Sequence, residues 1–196
     1  MNHIPFEDAV WVAQSLYDQG LVKGSAGNLS FRWNDRLYIS ASGSCFGRMT
    51  PEDFACLCEG GEIHGKPSKE LPLHEALYQA FPDISAVIHV HSTYAVALSC
   101  LPPRAPPVPR YTPYLSMKLG AVGFVPYAPP GSQALFSLFR KHLHPTAKGY
   151  LLANHGAIVT GKSLMDAYNC AMELEESCHV AWLLRDTSEA RCIPDV

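Results

Sequence analysis

The chain has 196 residues, 47% hydrophobic and 17% charged, a profile that fits one globular domain with a sizeable core. Fifteen Lys and Arg against eighteen Asp and Glu give a net charge of -3, and no basic run or aromatic-basic patch is present to follow a phosphate backbone, so no nucleic acid partner is expected. The opening MNHIPFEDAVWVAQ lacks the basic stretch and apolar core of a signal peptide, and no apolar run is long enough to cross a bilayer, which predicts a cytoplasmic protein with no membrane partner.

Phe6, Val10, Ala13 and Tyr17 recur at helical spacing and predict a helix from Phe6 to Gln19, ended by Gly20. Leu29, Phe31 and Trp33 alternate, Asn34-Asp35 supplies a turn, and Leu37-Tyr38-Ile39 returns as the second arm of a hairpin. Thr50-Pro51-Glu52-Asp53 has the form of a helix start, enough for a short turn. Short strands are expected at Cys56 to Cys58 and at Ile63 around Gly60-Gly61, then a helix from Pro72 to Phe81. Val87 to Ser92 (VIHVHS) reads as a strand, and Ser92 or Thr93 caps a helix through Cys100. Pro102, Pro103, Pro106, Pro107 and Pro109 make the next segment an irregular loop. A helix near Ser132 to His142, strands at Tyr150 to Ala153 and Ala157 to Thr160, and a long helix from Leu164 to Leu184 complete the series. Such interleaving predicts a single α/β domain over residues 1–196, with a mixed, largely antiparallel central sheet and helices on both faces.

Seven cysteines include no Cys-x-x-Cys spacing, and Cys56 and Cys58 have no second pair to complete a zinc knuckle. Reduced core thiols are the reading for Cys45, Cys100, Cys170 and Cys178.

The chemistry begins at VIHVHS. Side chains alternate along a strand, so His89 and His91 share one face while Ile88 and Val90 share the other. The pair alone is compatible with a metal site or with satisfied buried histidines. A third imidazole, His155, stands at the end of the apolar run LLANHG, where a glycine lets the backbone turn. Three imidazoles from two strands leave one position of a tetrahedral zinc open, the pattern of a catalytic site. His3, His64, His142, His144 and His179 lie in polar or terminal surroundings and read as surface residues. His74 is four residues after Glu70, on the helix that Glu70 precedes. Glu70 is either an acid favoured by the helix dipole or, beside a Lewis acid, a proton carrier. Gly24-Ser25-Ala26-Gly27-Asn28 and Ala41-Ser42-Gly43-Ser44 are either flexible turns or, with Ser68, a set of N–H groups and hydroxyls that cradle a phosphate.

These residues resemble the class II aldolase and adducin family. GSAGNLSFR, ASG, PSKELPLHEALYQAFPDISAVIHVHS and LLANHGAIVTG occur in the family's order through nearly the whole chain. The resemblance implies a class II aldolase-like fold, one zinc per subunit (or manganese or another divalent ion) on His89, His91 and His155, and Glu70 as the acid/base. It also implies phosphate binding by Gly27, Asn28, Ser42, Gly43 and Ser68. Many family aldolases carry a second serine where this chain has Lys69, a residue that can supply charge to the same phosphate. The segments YTPYLSMKLG and VPYAPPGS are similar to those of the family's 3-oxo-tetronate 4-phosphate decarboxylases. That likeness implies loss of carbon dioxide from a four-carbon keto acid phosphate, through a metal-stabilised enediolate, to give dihydroxyacetone phosphate. Arg110, Tyr114 and Lys118 would then lie near the departing carboxylate. The same constellation serves a sugar-phosphate aldolase or epimerase, which stays the alternative, and the intact His89, His91, His155 and Glu70 argue against a non-catalytic adducin-like scaffold. A homotetramer with sites at subunit interfaces is implied as well.

Overall fold

In the computed structural model, which describes residues 5–58 and 60–194, the alternating segment that opens the sheet becomes β1 (Asn28–Trp33) and β2 (Arg36–Ser40). Their turn residues Asn34 and Asp35 both take positive φ, 47° and 59°, the two-residue geometry that matches the twist of a hairpin and that Asn and Asp tolerate best. β3 (Phe54–Leu57) and β4 (Ile63–His64) extend this side of the sheet. On the other side β1 pairs with β5 (Ala86–Val90), followed by β8 (Gly156–Gly161), β7 (Ala147–Leu152) and β6 (Ala121–Val125). Among the described residues the order is β4-β3-β2-β1-β5-β8-β7-β6, antiparallel at every junction except the parallel β6–β7 pair. The mixed, largely antiparallel sheet expected from the sequence is therefore present.

Helices cover both faces. α1 (Phe6–Asp18), α3 (Thr93–Ser99), α4 (Pro113–Leu119) and α6 (Leu164–Leu183) pack on one face against Leu29, Phe31, Ile88, Val90 and Val159. α2 (Leu71–Ala80) and α5 (Gln133–Lys141) pack on the other against Val87, Tyr150, Leu152 and Ile158. Burial on both sides explains why β5 and β8 read as nearly unbroken apolar runs, every residue of each being buried. His89 shares the α2 face with Val87, which puts an imidazole where the alternation calls for a core residue.

The sequence reading contains neither α4 nor β6. Pro113 opens α4 at its first turn, but the proline run just before it obscures the start, and β6 is a short, half-exposed edge strand with weak alternation. β7 begins at Ala147, earlier than the apolar run suggests. The core-thiol reading holds for Cys170 and Cys178, which are buried, but Cys45 is half-buried and Cys100, at the outward end of α3, is exposed. His3 lies outside the described residues.

Candidate active site

His89, His91 and His155 come together. Their ring centroids form a triangle with all three sides 4.8 Å, and the Nε2 atoms of His89 and His91 are 2.9 Å apart. Adjacent strands bring the third imidazole in: His155 sits in the three-residue turn between β7 and β8, and β8 pairs with β5. The turn works differently from the sequence expectation. Asn154, with φ 55°, takes the left-handed conformation, whereas Gly156 is needed for close approach, because a Cβ there would collide with the Val90 carbonyl oxygen and crowd the His91 ring.

Glu70 occupies the N-cap position of α2 but makes no cap bond with its side chain. The carboxylate turns instead toward the imidazoles, with Oε2 3.2 Å from His89 Nε2 and Oε1 3.4 Å from His155 Nε2. Asn28 Nδ2 donates to Oε2 at 3.1 Å. Burial works against a charge on Glu70, yet the charge and hydrogen bond of His89, then His155 and Asn28, outweigh it and hold the carboxyl well below the ordinary carboxylate range. His89 is raised in turn: burial opposes its charge, and Glu70 and the Ala157 carbonyl overcome that opposition. Burial, followed by repulsion within the cluster, pushes His91 down to about 3 and His155 down to about 4.

Asn28, Glu70, His91 and His155 line a cavity of about 410 Å³, with His89 buried behind them. Its wall includes Gly27, Asn28, Ser42, Gly43, Ser68 and Lys69 beside Glu70, His91 and His155, so the segments read as a phosphate cradle adjoin the imidazoles. Hydrogen bonds hold these segments in place: Ser42 N donates to Lys66 O at 2.8 Å, Ser68 N to Ser40 O at 3.2 Å, and Glu70 N to Ser68 Oγ at 3.3 Å. Gly27, with φ 78°, has no room for a side chain, since a Cβ would stand 2.8 Å from His89 O. Pro130 and Gly131 complete the wall from the other half of the chain.

A family model described as the class II aldolase and adducin N-terminal domain matches residues 7–182. The chain belongs to that family. Among its class II aldolase relatives, the 3-oxo-tetronate 4-phosphate decarboxylase of Haemophilus influenzae is 40% identical over 182 residues, 90% of this chain and 86% of that protein. An L-fuculose phosphate aldolase of Methanococcus maripaludis is 33% identical over 177 residues, 89% of this chain and 94% of its own. The crystal structure of YgbL from Escherichia coli, described as an aldolase, epimerase or decarboxylase, superposes with a TM-score of 0.89 at 36% identity, covering 96% of this chain and 92% of that one.

The donor set of this class II aldolase member fits a divalent cation. His89 Nδ1 donates to Ala157 O at 2.8 Å, which fixes the tautomer and turns the Nε2 lone pair of the neutral ring into the cluster. Glu70, His89, His91 and His155 offer ligand atoms all within 4.8 Å of one another, and three imidazole nitrogens about one ion at about 2.0–2.1 Å would stand about 3.3 Å apart. Glu70 Oε1 is buried without a hydrogen-bond partner, a cost that a cation next to it offsets. Tyr114 and Lys118 lie elsewhere: both are on α4, which packs on the face of the sheet opposite Glu70, and neither lines the cavity. Arg110 precedes that helix and likewise is not part of the wall.

Proposed function

We propose that this chain decarboxylates 3-oxo-tetronate 4-phosphate to dihydroxyacetone phosphate and carbon dioxide, with one zinc ion on His89, His91 and His155 and with Glu70 moving the proton. The observation that carries the reading is the imidazole triangle beside a buried carboxylate in one cavity. The relative named 3-oxo-tetronate 4-phosphate decarboxylase selects the reaction among those such a site serves. His89, His91 and His155 would hold a divalent ion, which would supply Lewis-acid stabilisation of the negative charge that decarboxylation leaves on the substrate. Gly27, Asn28, Ser42, Gly43 and Ser68, with the charge of Lys69, hold the phosphate and so set C2 against Glu70. Asn28 Nδ2 donates to Glu70 Oε2, which leaves Oε1, the oxygen without a hydrogen-bond partner, to carry the proton. C1 departs as carbon dioxide and C2 takes one proton in its place; Glu70, ionised at rest, first takes that proton up from water and then passes it on, so atoms and charge balance.

The chain acts as a homotetramer in the cytoplasm on this reading. Tyr114 and Met117 are 59% and 73% exposed on one side of α4, an apolar surface that a neighbouring subunit would cover, bringing Arg110, Tyr114 or Lys118 to the carboxylate end of its substrate. No helix among the described residues is long and apolar enough to cross a membrane. The zinc-loaded enzyme given 3-oxo-tetronate 4-phosphate is expected to release dihydroxyacetone phosphate and carbon dioxide in equal amounts, and the chelated enzyme to release neither above the spontaneous rate. Glu70→Gln should keep its metal and lose at least roughly 100-fold in rate. Faster cleavage of L-fuculose phosphate than of the keto acid would place the chain with the aldolases instead.

A further inference from the structure

We infer that His74 is a positioning residue for Glu70, acting through the carboxamide of Asn28. The inference rests on the reading of Glu70 as the proton carrier. Its basis is a hydrogen-bonded line in the core: Asn28 Nδ2 to Glu70 Oε2 at 3.1 Å, His74 Nε2 to Asn28 Oδ1, Ser30 Oγ to His74 Nδ1 at 2.7 Å, and Tyr78 OH to Ser30 Oγ at 2.9 Å. The register is built into two elements. Glu70, His74 and Tyr78 recur every fourth residue along α2, a rise of about 6 Å, while Asn28 and Ser30 recur every second residue along β1, about 6.8 Å. The two stripes therefore stay aligned.

Chemistry fixes the direction of every bond. An ionised carboxylate only accepts, so the Asn28 atom facing Glu70 is its NH₂ and the atom facing His74 is its oxygen. His74 must then carry its proton on Nε2 and accept on Nδ1, which makes Ser30 the donor there and Tyr78 the donor to Ser30. Burial pushes His74 down to about 3, so the ring is neutral and has one N–H to give. Every donor in the line points toward Glu70 Oε2. Without the Nε2–H the carboxamide has no reason to keep its NH₂ on Glu70, and a flipped amide would set oxygen against carboxylate.

The test compares His74→Leu, His74→Gln and Ser30→Ala in the zinc-loaded enzyme and adds a ¹⁵N NMR determination of the His74 tautomer. Expected is the Nε2–H tautomer in the wild type, unchanged metal content in all variants, and a kcat lowered roughly 10- to 100-fold in His74→Leu, the scale for groups that orient first ligands, while KM moves less than about threefold. His74→Gln, which can still offer an N–H to Asn28, should recover most of the loss. Equal impairment of the Leu and Gln variants, a wild-type kcat in His74→Leu, or a proton on Nδ1 would overturn the inference. Should His74→Leu fail to fold, Ser30→Ala and the tautomer decide: a relay predicts a lowered kcat and a mixed tautomer, and wild-type values for both defeat it. If the wild-type enzyme releases no carbon dioxide, the proposed reaction fails, and the tautomer still decides the relay.

Discussion

At the scale of single residues, a buried histidine with no carboxylate against its ring must stay neutral to keep its place. His74 is fully buried and burial lowers it to about 3, whereas in the unfolded chain it titrates near about 6.5. Between those values the unfolded chain binds a proton that the folded one refuses. Its contribution is therefore complete above about pH 6.5 and is lost as the pH falls toward about 3. At about pH 5 the loss is on the order of 2 kcal/mol. His74→Gln has no such group, so urea midpoints taken at about pH 7.5 and about pH 5 should differ less for the variant than for the wild type; an equal drop in both would show that His74 does not titrate this way. Residue identity alone carried part of this site. His89 and His91 stand out in the sequence because polar residues interrupt an apolar run, and Glu70 because it stands at a helix start, but the partners of His74 do not: Ser30 and Tyr78 are ordinary strand and helix residues until α2 is laid over β1.

Elements show the same division between what pattern announces and what packing adds. The hairpin and the long C-terminal helix were legible because their periods are regular and their turn residues are chemically apt. α3 was legible too, yet its N-terminus is stabilised from a distance. Ser92 holds the N-cap position, as expected, but its side chain makes no cap bond; Ser92 Oγ donates to Glu175 Oε2 at 2.6 Å, and Tyr94 N and Ala95 N donate to the same carboxylate at 2.9 Å each. A carboxylate on α6 thus satisfies the first turn of a helix some 80 positions earlier, and no local reading could find it. Glu175→Ala strands those donors and should cost about 2–3 kcal/mol, read as a lower urea midpoint, with Glu175→Gln costing less because its one oxygen still accepts. A loss below about 0.5 kcal/mol in the Ala variant would mean that water replaces the carboxylate. Because His91 is joined to α3 through Ser92, the same change should also weaken zinc binding.

Over the whole molecule, the imidazole cluster ties β5 to the β7–β8 turn, so an ion bound there stabilises the fold by mass action. At an ion concentration of about 1,000 times Kd this amounts to about 4 kcal/mol, and chelation should lower Tm on the order of 10 °C for a chain of this size. His91→Ala should lose most of that shift; a chelator-independent Tm in the wild type would argue against a bound ion.

β5 also has a consequence for how this family can change. It is the strand that joins two halves of the sheet, β1 to β4 on one side and β8 to β6 on the other. The cavity residues assigned to the phosphate and the proton carrier come from positions 27–70, whereas the third imidazole, Pro130 and Gly131 come from beyond position 129. On the proposed assignment, the handle common to many substrates and the end that distinguishes them are encoded in separate stretches of chain that meet across one seam. Substitutions in the later stretch are then expected to alter which bond breaks while the earlier stretch keeps its hold on the phosphate, in keeping with relatives named for decarboxylation and for aldol cleavage.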